Sequence, residues 1–209
     1  SATMVRSGHT ATSAGEHTAK VWLKDKVNYI WVGGGTTDIS KTWYITKFSV
    51  TAPTVTGTLT YNGSPQSPTI ATHPNYTISG NVGTNAGEYF ATVSLNDKDN
   101  YVWEGKVGAE ATNDLSLRWE IAKAKLTVPT KRDVTYTYNG ENQTLQLNNF
   151  NSATMGISGN SRKDANANYQ ASITLLYSNN YTWQDDSTSA KTITWAIGKA
   201  SLTVQANNK

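Results

Sequence analysis

Asn28-Tyr29-Ile30-Trp31 returns as Asn100-Tyr101-Val102-Trp103 and again as Asn180-Tyr181-Thr182-Trp183. A catalytic group is needed once per site, so a phrase used three times in 209 residues marks architecture. Aligning the copies lengthens the match in both directions. Upstream, Ala14-Gly15-Glu16-His17-Thr18-Ala19 faces Ala86-Gly87-Glu88-Tyr89-Phe90-Ala91 and the looser Asn166-Ala167-Asn168-Tyr169-Gln170-Ala171. Downstream, Trp43-Tyr44-Ile45-Thr46-Lys47 matches Trp119-Glu120-Ile121-Ala122-Lys123 and Trp195-Ala196-Ile197-Gly198-Lys199, the tryptophans standing 76 residues apart (119 − 43 and 195 − 119). Tyr61-Asn62-Gly63 returns as Tyr138-Asn139-Gly140, and Ile78-Ser79-Gly80-Asn81 as Ile157-Ser158-Gly159-Asn160. These matches draw two full modules, 48–123 and 124–199, a partial one at 1–47, and a stub at 200–209 that matches 124–133.

Within each copy the apolar period is two, the signature of a half-buried strand. Tyr89, Ala91, Val93 and Leu95 fall on one face, as do Tyr169, Ala171, Ile173 and Leu175, and His17, Ala19, Val21 and Leu23. Asparagine tolerates the left-handed backbone of tight turns, so Asn28, Asn100 and Asn180 are expected to close hairpin turns. The Tyr and Trp that follow each asparagine then share one face of a returning strand and bury their rings there. Tyr29, Trp31, Trp43, Tyr101, Trp103, Trp119, Tyr181, Trp183 and Trp195 are thus the expected core of the repeat. Lys123 leads into Ala124-Lys125-Leu126-Thr127-Val128 without a glycine or serine linker, a junction that favours a stiff array.

Composition agrees with an all-β reading. Thr, Ser, Asn, Gly and Tyr crowd a chain with 37% hydrophobic residues and a net charge of +3, a bias suited to strands and tight turns. With no cysteine there is neither a disulfide framework nor a thiolate metal site. No apolar run approaches the roughly 20 residues that span a bilayer, so no membrane insertion is expected in this segment. The scattered Lys and Arg residues form no basic stripe with interleaved aromatics, which argues against nucleic acid as a partner.

The linked motifs Tyr-Asn-Gly-Ser-Pro-Gln-Ser-Pro-Thr at 61–69, Asn-Ala-Gly-Glu-Tyr at 85–89, Asp-x-x-Asn-Tyr-x-Trp at 97–103 and Trp-x-Ile-x-Lys-Ala at 119–124 resemble bacterial immunoglobulin-like repeats. The nearest are the MBG-type repeats of large Gram-positive surface proteins and of some phage virion proteins. The resemblance implies tandem immunoglobulin-like β-sandwiches of about seven short strands each, with apolar packing in place of the antibody disulfide. Ala167 in place of the Gly of N-A-G, and Arg6 in the column of Ile78 and Ile157, depart from the pattern. A sandwich fold carries no activity of its own.

Candidate chemistry is sparse. Of His9, His17 and His73, only His17 lies in a repeated column, where tyrosine stands in the other copies. Gly33-Gly34-Gly35 lacks the lysine or helix start of a phosphate loop and reads as a variable loop. Asp97-Lys98-Asp99 and Asp185-Asp186 supply too few oxygens for the full calcium pattern. The resemblance also raises an internal isopeptide crosslink at Lys47, Lys123 or Lys199, against which stands the simpler reading of a lysine stem laid on apolar surface. Trp22 faces outward among Thr18, Lys20 and Lys24 and is a candidate sugar or protein contact.

The expectation is therefore a non-enzymatic stalk or adhesion segment at a bacterial surface, without cofactors. Its partners would be neighbouring modules of a longer chain, with surface glycans or other copies of itself as further candidates. A phage virion appendage and a carbohydrate- or mucin-binding module are the alternatives. Ser1 falls in register with His73, so 1–47 lacks counterparts of 48–72. A sandwich short of two strands exposes core and unpaired edges, so either upstream residues complete it or a neighbouring chain donates a strand.

Overall fold

The computed structural model describes residues 3–205. Ser1 and residues 206–209 of the expected stub lie outside the described residues. The fold is all-β. In chain order the strands are β1 (Met4–Ser7), β2 (Gly15–Leu23), β3 (Ile39–Ile45), β4 (Phe48–Val50), β5 (Val55–Thr56), β6 (Leu59–Thr60) and β7 (Thr69–Ile70). Next come β8 (Tyr76–Ser79), β9 (Gly87–Leu95), β10 (Tyr101–Trp103), β11 (Leu115–Ala122), β12 (Ala124–Leu126), β13 (Thr130–Lys131) and β14 (Gln143–Thr144). The last are β15 (Leu147–Asn148), β16 (Met155–Ser158), β17 (Ser161–Arg162), β18 (Asn166–Leu175), β19 (Tyr181–Trp183) and β20 (Lys191–Ile197). One short 3₁₀ turn, Gly108–Ala111, interrupts them.

The chain forms two compact units. The first comprises Ser1–Thr56, Thr69–Asn81 and Phe90–Arg118, the second Gly57–Pro68, Val82–Tyr89 and Trp119–Lys209. Strands β9 and β11 contribute residues to both.

In the first unit β2 lies between β1 and β3, all antiparallel, with Val5 opposite Trp22 and His17 opposite Trp43. There β8 runs antiparallel to β9, pairing Ile78 with Val93. Because strand side chains alternate, Val93 and Leu95 of β9 point together into a core with Val50, Tyr76 and Trp103. Each fully buried large apolar side chain of this kind contributes about 1.5–3 kcal/mol. In the second unit β18 lies between β16 and β20, pairing Ile157 with Ile173 and Tyr169 with Trp195. Trp195, Ile197, Ala171, Tyr136 and Leu145 pack one cluster, and Trp183, Ile173 and Met155 another.

The structure corrects the hairpin expectation. The strand formed by the repeated phrase does not return beside the strand before it: β10 runs parallel to β4, and β19 parallel to β12. Among the described residues the non-glycine positions with positive φ are Asn149 and Asp186, so Asn28, Asn100 and Asn180 are not there for left-handed backbone. A glycine column does need that freedom. Gly80 and Gly159 have φ of 68° and 72°, and a Cβ at Gly159 would meet Gln170 O at 2.4 Å, which excludes any larger residue.

Candidate functional site

What the asparagines do is visible in their side chains. Asp97 Oδ1 accepts a hydrogen bond from the Asn100 backbone N–H, and Asp97 Oδ2 accepts one from the Asn100 carboxamide Nδ2–H at 2.7 Å. The carboxamide is thereby oriented with Oδ1 outward, where it accepts the Ala14 N–H at 2.7 Å. In the third copy Asn180 Oδ1 accepts the Ala86 N–H at 2.8 Å, and Asn85 Oδ1 takes the orienting role at 3.1 Å. The Ala-Gly-Glu turn of one copy is thus held by the Asn-Tyr-x-Trp asparagine of the next. Backbone donors that leave water need such partners.

Two further contacts accompany each of these bonds. The Asn100 carbonyl accepts the Phe48 N–H at 2.8 Å, and the Asn180 carbonyl accepts the Ala124 N–H at 3.0 Å, opening the parallel pairs β4/β10 and β12/β19. Lys47 Nζ donates to Lys98 O and Lys123 Nζ to Ser178 O, each at 2.7 Å. The repeated lysines therefore carry their stems along the surface and end on a backbone carbonyl of the following copy. Around these bonds lie two matching crevices. One, of about 420 Å³, is lined by Ala14, Thr46, Phe48, Asp97, Asn100 and Tyr101. The other, of about 510 Å³, is lined by Asn85, Ala86, Lys123, Ser178, Asn179 and Asn180.

The hydrogen bond from Asn100, then those from Asn100 and Asp99 amides and the charge of Lys47, hold Asp97 below the ordinary carboxylate value. Asp25 is lowered in the same way by Asn28. Asp185 is also held low, chiefly by Lys191 and then by Ser187.

The core candidates divide by copy. Trp103 is 1% exposed and Trp183 and Trp195 are 0% and 1%, while Trp119 is also buried. Tyr101 and Tyr181 are half-buried at the two junctions, Tyr181 perpendicular to the Tyr61 ring with the centroids 5.3 Å apart. Trp31 and Trp43 are only half-buried, and Tyr29 is exposed. The indole of each phrase donates to a carbonyl of the loop after it: Trp31 to Thr37, Trp103 to Asn113 and Trp183 to Ser189. Gly33, Gly34 and Gly35 shape that loop in the first copy, where Gly34 N–H donates back to Trp31 O. Trp22 is half-buried on β2 opposite Val5.

His17 behaves as its column predicts. Its Nε2 lies 2.8 Å from Ser13 O, where the tyrosines of the other copies donate to Asn85 O and Asp164 O. His73 stacks on Tyr76. Asp186 and Asp185 are held by Lys125 and Lys191. Among the described residues no group of three or more His, Asp or Glu side chains is placed to hold a metal ion, and no helix is long and apolar enough to cross a membrane.

No family model matches the sequence, and no curated protein matches it. Among solved structures, one match is SGBP-B of the Bacteroides ovatus mixed-linkage glucan utilization locus, in complex with a mixed-linkage heptasaccharide. It is 12% identical, with a TM-score of 0.21, over 90% of this chain and 54% of that chain. The chain thus spans about half the length of that structure, and likeness at this level carries no argument about fold or ligand.

Proposed function

We propose that this chain is a non-enzymatic structural segment, a stalk or adhesion array of MBG-type immunoglobulin-like repeats at a bacterial surface. The observation that carries the reading is the junction itself. The same three elements join one copy to the next at Asn100 and at Asn180, an oriented carboxamide on a backbone amide, a lysine on a carbonyl and a lined crevice, beside a parallel strand pair that each module makes within itself. A protein that spends its most repeated residues on joining one copy to the next is built to transmit position along the chain.

Single-molecule extension tests this. Each 76-residue repeat should release about 250–270 Å of chain, at about 3.3–3.6 Å per residue, in two separate events of equal length. Extension without discrete events would contradict the reading. Glycan-array binding that disappears in Trp22→Ala would instead favour carbohydrate recognition.

A further inference from the structure

The turns that precede Asn100 and Asn180 share a backbone but not a use of their side chains. Tyr101 N–H donates to Asp97 O and Tyr181 N–H to Tyr177 O, each at 2.9 Å. In the second copy the side chains of that turn are committed to the fold. Asn96 donates to Pro74 O, Lys98 donates to Asp114, and Asp97 accepts from the Asp99 and Asn100 backbones and the Asn100 carboxamide. In the third copy Leu176, Tyr177, Ser178 and Asn179 stand in these columns. Among the described residues the side chains of Tyr177, Ser178 and Asn179 make no hydrogen bond, ion pair or ring contact. The role that Asp97 plays for Asn100 has passed to Asn85, whose Oδ1 accepts the Asn180 carboxamide at 3.1 Å. Position 177 is thereby released from the junction, and it carries a tyrosine that is 57% exposed beside a leucine that is 50% exposed.

These released side chains line the crevice of about 510 Å³ together with Asn85 and Lys123, a size within the about 300–1,000 Å³ of small-ligand clefts. Adjacent exposed apolar side chains at a cleft mark a contact surface, and a tyrosine ring offers rigid, flat area with few rotamers to freeze. Around it stand groups that both donate and accept: the Asn179 carboxamide, the Ser178 hydroxyl and the Asn85 amide nitrogen. No carboxylate lines the crevice among the described residues, and the Lys123 ammonium is already bonded to Ser178 O. A cation would find no counter-charge there. The ligand that fits has one flat apolar face and a rim of hydroxyls. A pyranose ring has both, its axial C–H bonds forming the face and its equatorial hydroxyls the rim.

We infer that the crevice at Asn180 binds a neutral pyranose unit of a glycan, the sugar ring stacked on Tyr177 and its hydroxyls bonded to Asn179, Ser178 and Asn85. This rests on the reading of the chain as an adhesion array and gives that array a ligand class. The crevice at Asn100 is built for the junction alone: an engaged aspartate stands in the tyrosine's column, and the ring at its rim, Phe48, is set edge-on against Tyr101 with centroids 6.2 Å apart.

Proton–nitrogen NMR titration of the 209-residue chain with methyl β-D-glucopyranoside, methyl β-D-galactopyranoside, N-acetyl-D-glucosamine and D-glucuronic acid tests the inference. Saturating shifts should appear with at least one of the neutral sugars and stay confined to Asn85, Lys123 and residues 176–180. Tyr177→Ala should weaken that binding about tenfold or more, Tyr177→Phe should keep it, and Asn179→Ala should weaken it. All three substitutions fall on exposed side chains, so the thermal unfolding midpoint should not move. Absence of a saturating shift with every neutral sugar, or undiminished binding by Tyr177→Ala, would overturn the inference. So would shifts centred on Asp97 to Asn100 or on Trp22 instead, or binding of the glucuronic acid alone, which would assign the crevice to the lysine charge. Stepwise extension of the chain does not depend on a bound sugar, so the two proposals fail separately.

Discussion

Trp31 and Trp183 occupy the same column of the same phrase, yet one is half-buried and the other fully enclosed. Met4, Tyr76 and Met155 also share a column and are 53%, 7% and 4% exposed. The two tryptophans stand in the same phrase, and Met4, Tyr76 and Met155 each open the same strand of their copy, so the difference does not arise in the local sequence. It arises in the strands laid over them. Leu126, Val128, Leu147 and Phe150 cover Trp183 and Met155, and residues 1–47 carry no counterpart of that segment. The phrase fixes which face a ring takes; the opening strands of its module supply its burial.

The largest expected break in this comparison is at the second repeated tryptophan. Trp195→Ala should destabilise the fold by about 3–5 kcal/mol, whereas Trp43→Ala, half-exposed already, should cost about 1–2 kcal/mol in proportion to the area it buries. Denaturant unfolding of the two variants measures the contrast, and equal losses would mean the first copy is as well covered as the third.

The next effect lies in the phrase's asparagine. Asn100→Ala and Asn180→Ala each leave a part-buried backbone amide without its acceptor, a loss of about 1–3 kcal/mol. Asn28→Ala removes only the exposed hydrogen bond from the carboxamide to Asp25 Oδ2 and should stay within about 0.5 kcal/mol. Thermal melts of the three variants would show whether the junction bond or the local turn is what matters.

A smaller, pH-dependent effect sharpens the same point. The carboxyl of Asp97 is held below its ordinary 3.8 in the fold, so the native state binds fewer protons than the unfolded chain in that window. The resulting stabilisation is fully present above 3.8 and is lost as pH falls through the lowered value. Asp97→Asn should therefore be less stable than the parent at neutral pH, with the gap closing in acid. The third copy has Tyr177 in this column, so Tyr177→Phe should show no such closing gap in a urea series across pH.

Much of the fold could be read from the sequence. The alternation that put Ala91 and Val93 on the inner face, and Ala171 and Ile173 with them, is a local pattern, and all four are fully buried. The tyrosine column explained His17 for the same reason. The junction was hidden because its bonds are not local: Ala14 and Asn100 stand 86 residues apart, Ala86 and Asn180 94. Turn chemistry alone offered a sufficient reason for asparagine, and the side-chain role became visible only with the neighbouring copy in place. The parallel pairing of β10 with β4 was missed on the same grounds, since adjacency in sequence pointed to the preceding strand.

Amide hydrogen exchange at Glu104 and Val32, measured on a dilute monomeric sample, tests the central claim most directly. Both amides follow the tryptophan of the phrase, and Glu104 donates to Val50 O of β4, the first strand of its own module. If burial and pairing come from the strands that open a module, Glu104 should be strongly protected while Val32 exchanges at nearly the rate of an unstructured chain. Equal protection of the two would contradict the account, because the phrase would then be structured without those strands.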